Sequence, residues 1–97
     1  MNEHKEYILK TLDRRELYEL LAEESSELAK AALKCIRAEE LSNNVTPVTA
    51  NEAHADLFEE VGDVMIVLDC LGIKFDSSKL YMSHKWERWA NRLKAVR

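Results

Sequence analysis

One proline, two glycines and no run of alternating apolar and polar residues leave little from which to build strands and tight turns. Sandwiches and barrels spend such residues at every turn, and disordered chains are poor in apolar ones. A chain that is 46% hydrophobic and 33% charged fits neither class and reads as helical. Long hydrophobic runs are also missing. Nothing approaches the ~20 apolar residues of a membrane span, and Met1 to Lys10 mixes charges among its apolar residues where a secretory signal would be uninterrupted. A cytoplasmic protein with no membrane partner is expected. Nor is there a basic excess: 14 lysines and arginines face 18 aspartates and glutamates, and a net charge of -4 argues against nucleic acid as partner. Small phosphorylated ligands stay open, because a divalent metal reverses the local sign of an acidic pocket. Cysteine is scarce too. Cys35 and Cys70 form no CxxC and have no clustered histidines, so they read as reduced thiols used as small core residues.

What is there is helical patterning. Residues 3 to 11 form a short first helix anchored by Tyr7, Ile8 and Leu12. Asp13 with Glu16 three residues on opens a long second helix, about Arg14 to Leu41, whose apolar stripe is Leu17, Leu20, Leu21, Leu28, Ala31, Ala32 and Cys35. Ser42 to Val48, with Pro47, is the one clear loop. Thr49 and Glu52 open a third helix, about Ala50 to Leu71, with the stripe Leu57, Val61, Val64, Val67, Leu68 and Leu71, and Gly72 stops it. Asp76 caps a last helix from about Ser77, with Met82, Trp86, Trp89, Leu93 and Val96 on an apolar face and Tyr81, Lys85, Arg88 and Arg92 on a basic one. The fold class is therefore all-α: a bundle of three long helices plus a short N-terminal one, a single domain over residues 1–97. A chain of 97 residues is near the lower size for a comfortable core, so a homodimer or homotetramer is expected, with Trp86 and Trp89 in the core or at the subunit interface.

Two acidic turns break this pattern. Glu23, Glu24 and Glu27 lie among the leucines of the second helix, and Glu59, Glu60 and Asp63 lie along the stripe of the third. An acid that points inward is costly unless something positive satisfies it. Helices joined by a short connection pack antiparallel, which brings the turns level as opposite walls of one cation site. With oxygen donors alone, the site suits magnesium, or manganese in its place. Magnesium completes its shell with waters and substrate phosphates, which points to chemistry on a metal-bound nucleotide. A di-iron site would need a Glu-x-x-His pair on a helix, and none of His4, His54 or His84 has a glutamate three residues before it. Gly62, inside a helix between two acids, implies that a backbone or ligand comes close there. A single ExxE is most often a solvated helix face. Two of them within apolar stripes favour metal.

Glu24-x-x-Glu27 followed by Glu60-x-x-Asp63, each preceded by an extra acid, Glu23 and Glu59, resembles the motif of the MazG-type all-α nucleoside triphosphate pyrophosphohydrolases. The similarity spans roughly residues 14 to 93 and is most specific from Glu59 to Val64 and in the apolar run Met65 to Leu68. The connector from Ser42 to Asp56 is longer than is usual in that family. The resemblance implies hydrolysis of a magnesium-bound nucleoside triphosphate between its α and β phosphates, giving the monophosphate and pyrophosphate. Glu24, Glu27, Glu60 and Asp63 would be the metal ligands and Glu23 the first candidate to accept the proton of the attacking water. Lys85, Arg88 and Arg92 fit the need for phosphate contacts, or equally form a solvated charge cluster at a helix end, with Lys30 and Lys34 as weaker candidates. The related phosphoribosyl-ATP pyrophosphohydrolases carry Leu-Tyr-His after the aspartate, where this chain has Val64-Met65-Ile66. The reading from another class is a non-catalytic helical interaction module, whose acids are surface or interface charges.

Overall fold

The computed structural model describes residues 2–43, 48–76 and 80–96. Four helices and no strand are found among them: α1 (Glu3–Thr11), α2 (Arg14–Ala38), α3 (Ala50–Cys70) and α4 (Met82–Val96). The all-α expectation therefore holds, with three long helices and a short first one. No helix is long and apolar enough to cross a membrane among the described residues.

The helix starts follow the capping chemistry written in the chain. The Asn2 side chain accepts from the Lys5 backbone N–H at 2.7 Å. At α2 the box is reciprocal, with Glu16 N–H donating to Asp13 Oδ1 at 2.8 Å and Asp13 N–H donating to Glu16 Oε1 at 3.1 Å. Thr49 Oγ1 accepts from Glu52 N–H at the head of α3. The ends depart more from expectation. α2 stops at Ala38, short of Leu41, because Glu40 takes a left-handed conformation (φ 59°) and Leu41 N–H bonds back to Ile36 C=O. That closure is the one glycine usually provides, and Gly72 (φ 79°) does provide it after α3, where Ile73 N–H returns to Leu68 C=O. The last helix begins at Met82, later than expected, since Tyr81 also sits at positive φ (54°) and interrupts any helix entering from Asp76. Tyr81 consequently precedes the helix, outside the basic face assigned to it. Ser77 to Lys79, where the expected start falls, and Asn44 to Pro47 of the loop lie outside the described residues.

α2 and α3 form an antiparallel hairpin. Rising numbers on one meet falling numbers on the other: Leu17 packs with Val67 and Leu71, and Cys35 Sγ donates to Ala53 C=O at 3.5 Å. Between these two ends the interior changes character. Leu17, Val67 and Leu71, supported by Leu12, Leu20, Leu21 and Cys70, make an aliphatic end, and Ala31, Cys35 and Ala53 make a small-residue end. Burying Leu17 is worth roughly 2–3 kcal/mol by area, so the aliphatic end holds the hairpin in register. α1 lies against α3, tied by Lys5 Nζ to Asp69 Oδ2 at 2.8 Å. Among the described residues α4 packs against none of the other helices. Trp86 and Trp89 stack on each other, centroids 6.1 Å apart, and both are exposed. They are thus no part of this chain's own core, for want of a neighbouring helix to cover them.

Candidate metal centre

Midway along the hairpin, between its two packed ends, the structure brings three carboxylates together. Glu24 of α2 and Glu60 and Asp63 of α3 each offer one oxygen, and these oxygens lie within 4.8 Å of one another. Glu24 and Glu60 are half-buried because their positions continue the stripes of Leu17 and Val67, and Asp63 is exposed beside them. Burial raises the Glu24 carboxyl above its ordinary value of 4.5, and Asp63, Glu23 and Glu27 raise it further. Glu60 is raised from the same value, again by burial first and then by Asp63, Glu24, Glu27 and Glu59. Two glutamates are thus held where their charged form is disfavoured from all sides.

Glu27, the fourth expected ligand, stands beside the trio: its charge is felt by both Glu24 and Glu60, while its Oε1 takes Lys30 Nζ at 3.3 Å. Glu23 is exposed at the rim, close enough to raise Glu24. Glu60 Oε2 is buried and has no hydrogen-bond partner among the described residues. A buried acceptor left without a partner is uncommon, and this one faces other carboxylates. A divalent cation fits the residues present, since it would satisfy that oxygen and reverse the mutual repulsion. The donors, oxygen only, suit magnesium or manganese.

Next to the acids runs a cleft of about 270 Å³ lined by Glu27, Lys30, Ala31, Lys34, Arg37, Asp56 and Glu60. Its cations come from α2 at i, i+4 and i+7, so Lys30, Lys34 and Arg37 share the side on which Glu27 lies. Lys34 is partly committed, with Nζ 2.7 Å from Asp56 Oδ2. Two further lining residues follow the same periodicity, Arg37 continuing the spacing of Glu27, Lys30 and Lys34 on α2, and Asp56 standing one turn before Glu60 on α3. Lys85, Arg88 and Arg92 are not brought to the acids in this chain: they sit on α4, and Arg88 and Arg92 border a shallow groove with His84, Glu87, Asn91 and Ala95. Gly62 is likewise unlike its expectation. A Cβ there would meet nothing within 4 Å, so no close approach within the chain requires the glycine.

A second cluster of metal-capable side chains lies at the loop end, where Cys35, Glu39 and His54 converge. Residue spacing does not reveal it, because the histidine comes from the other helix. Each member already has a partner in the chain, Cys35 Sγ on Ala53 C=O and His54 Nε2 on Glu39 Oε2 at 2.7 Å. No family model, no curated protein and no solved structure matches this chain.

Proposed function

We propose that the protein is a magnesium-dependent nucleoside triphosphate pyrophosphohydrolase, cleaving between the α and β phosphates to release the monophosphate and pyrophosphate. The observation that carries this reading is the buried Glu60 Oε2, without a hydrogen-bond partner among the described residues, within a trio of converging carboxylates, beside a cleft that Lys30, Lys34 and Arg37 line together with acids. The order of acids along the chain, Glu24-x-x-Glu27 and then Glu60-x-x-Asp63, supports the same reaction by its resemblance to the pyrophosphohydrolase motif.

Glu24, Glu60 and Asp63 are the residues that would hold the cation, with Glu27 reaching it on release from Lys30. Once bound, the metal supplies charge neutralisation on phosphate oxygens and lowers the pKa of a water. Glu23, at the rim and outside the trio, accepts the water's proton. Lys30 and Arg37, on the same cleft wall, orient the phosphate chain, and Lys85, Arg88 and Arg92 join them only where α4 is carried over the cleft. The direct test is pyrophosphate release from each common nucleoside triphosphate with magnesium, with manganese and with chelator. Activity that needs the metal and falls at least a hundredfold in Glu60→Gln and Asp63→Asn supports the assignment. Activity retained in both variants removes it, and no release from any triphosphate favours the interaction module.

A further inference from the structure

The loop end of the hairpin is packed unlike the end that holds it in register. Its buried residues are Ala31, Cys35 and Ala53, all small. Ala53 is 0% exposed, so the two helices come close there, and the next residue, His54, is set against the end of α2. Cys35 and Glu39 lie four residues apart. Glu39 N–H donates to Cys35 C=O at 2.9 Å, so helical geometry still holds and keeps both side chains on one face. A sulfur, a carboxylate oxygen and a ring nitrogen are thereby brought within 4.8 Å of one another.

This donor set differs in kind from the acidic trio. Oxygen donors alone suit a hard ion, whereas thiolate with imidazole suits zinc. A thiolate and a carboxylate together carry the two charges that a divalent ion cancels, and a neutral imidazole adds none. The contacts already made leave room for such an ion. Glu39 Oε2 and His54 Nε2 are 2.7 Å apart, and a zinc ion about 2.0–2.1 Å from each would part them by less than about 1 Å. The bond from Cys35 Sγ to Ala53 C=O, at 3.5 Å, comes from a weak donor and is readily given up. Cys35 is buried and closes the site from within, while Glu39 and His54 are exposed and give the ion a way in from solvent.

We propose that Cys35, Glu39 and His54 form a second metal centre, which takes zinc and pins the loop end of α2 to α3. Water fills the fourth position on the exposed side, which three protein ligands leave open. On binding, the Cys35 S–H bond breaks, its proton passes to water and the sulfur bonds to the metal. The tie from Cys35 and Glu39 on one arm to His54 on the other supplies at this end the hold that Leu17, Val67 and Leu71 supply at the far one. Glu24 and Cys35 are about 16 Å apart along α2 by helical rise, so the centre and the acidic trio take separate ions. The inference stands whether or not the protein hydrolyses nucleotides.

Cobalt is the probe, because it takes zinc's place and reports its ligands in the absorption spectrum. Metal-free, reduced protein is titrated with cobalt chloride under argon, in excess magnesium chloride. The wild type is expected to show a near-ultraviolet charge-transfer band from thiolate to cobalt, with the strong visible bands of four-coordinate cobalt, and to lose both when equimolar zinc displaces the cobalt. The bands should persist in Cys70→Ala and in Glu60→Gln and vanish in Cys35→Ala. His54→Gln and Glu39→Gln, at exposed positions, should each raise the cobalt concentration for half-saturation at least tenfold. Because Cys35→Ala alters a buried residue and could fail to fold, the wild type and the two exposed variants are sufficient by themselves. A wild type without the charge-transfer band, a band kept in Cys35→Ala or lost in Cys70→Ala or Glu60→Gln, or half-saturation unmoved in His54→Gln or Glu39→Gln each overturns the proposal.

Discussion

Replacing Glu60 by glutamine keeps the side chain's shape and removes its charge, which makes it the sharpest probe of the acidic trio. In the metal-free protein Glu60 is raised by burial and by Asp63, Glu24, Glu27 and Glu59, and Oε2 has no partner among the described residues. An amide in that place ends four repulsions and brings a donor that can reach the neighbouring carboxylates. The metal-free variant should therefore melt above the wild type. Magnesium should reverse the order. A cation at ten times its Kd stabilises the folded form by about 1.4 kcal/mol, which for a domain of this size moves the midpoint up by roughly 6–11 °C. The variant, one anionic ligand short, should gain a small fraction of that at the same concentration. The assay is circular-dichroism melting in chelator, in magnesium chloride and in sodium chloride of matched ionic strength. A wild type that answers magnesium no better than sodium, or a variant that melts below it in chelator, would show that these acids face water and not a shared ion.

Further outcomes follow from the same geometry. Glu24 and Glu60 bind protons more readily in the folded chain than at their unfolded value of 4.5, so metal-free stability should rise as pH falls from neutral towards that value, and saturating magnesium should abolish the rise. Asp69 behaves oppositely: its bond to Lys5 holds it below 3.8, and the stability it lends, full above 3.8, is lost as pH falls further. Comparing Asp69→Asn with wild type across that range in a urea titration isolates it. Leu17→Ala, at a position only 3% exposed against Val67 and Leu71, should cost about 2–5 kcal/mol in urea unfolding. Glu40→Gly should stabilise by up to about 1 kcal/mol in the same assay, because Glu40 holds the left-handed closure of α2 at φ 59°.

The parts of the fold that were legible are those decided by neighbours in sequence. Asp13, Thr49 and Gly72 act within four residues of themselves, and the helix starts and stop they set lie where spacing places them. Glu40 and Tyr81 were illegible because nothing local favours positive φ in a glutamate or tyrosine. The acidic trio was legible since Glu24, Glu60 and Asp63 share faces with leucine and valine, and antiparallel packing of α2 on α3 does the rest. Glu39 and His54 were not, as their meeting depends on the register of the hairpin at its loop end. Two amphipathic stripes on one helix cannot be ranked by periodicity alone. Leu17 and Val67 are buried in the chain itself, while Trp86, Trp89, Phe58 and Met65, just as apolar, remain exposed.

Gly62 gives that last point a measurable form. Sequence logic holds that a glycine within a helix, flanked by acids, is kept for a close approach. In the structure it is exposed, and an added Cβ meets nothing within 4 Å. If the space is open, alanine there removes the conformational freedom that glycine loses on folding. Gly62→Ala should then stabilise by about 0.5–1 kcal/mol in urea unfolding, with no change in the response to magnesium. The position lies on the far side of α3 from Glu60, about 40° around the helix from Phe58 and about 60° from Met65, beside exposed apolar residues and away from the acids. A Gly62→Ala protein that is less stable than wild type would mean that something does press against this turn, and the packing of α3 would have to be redrawn around it.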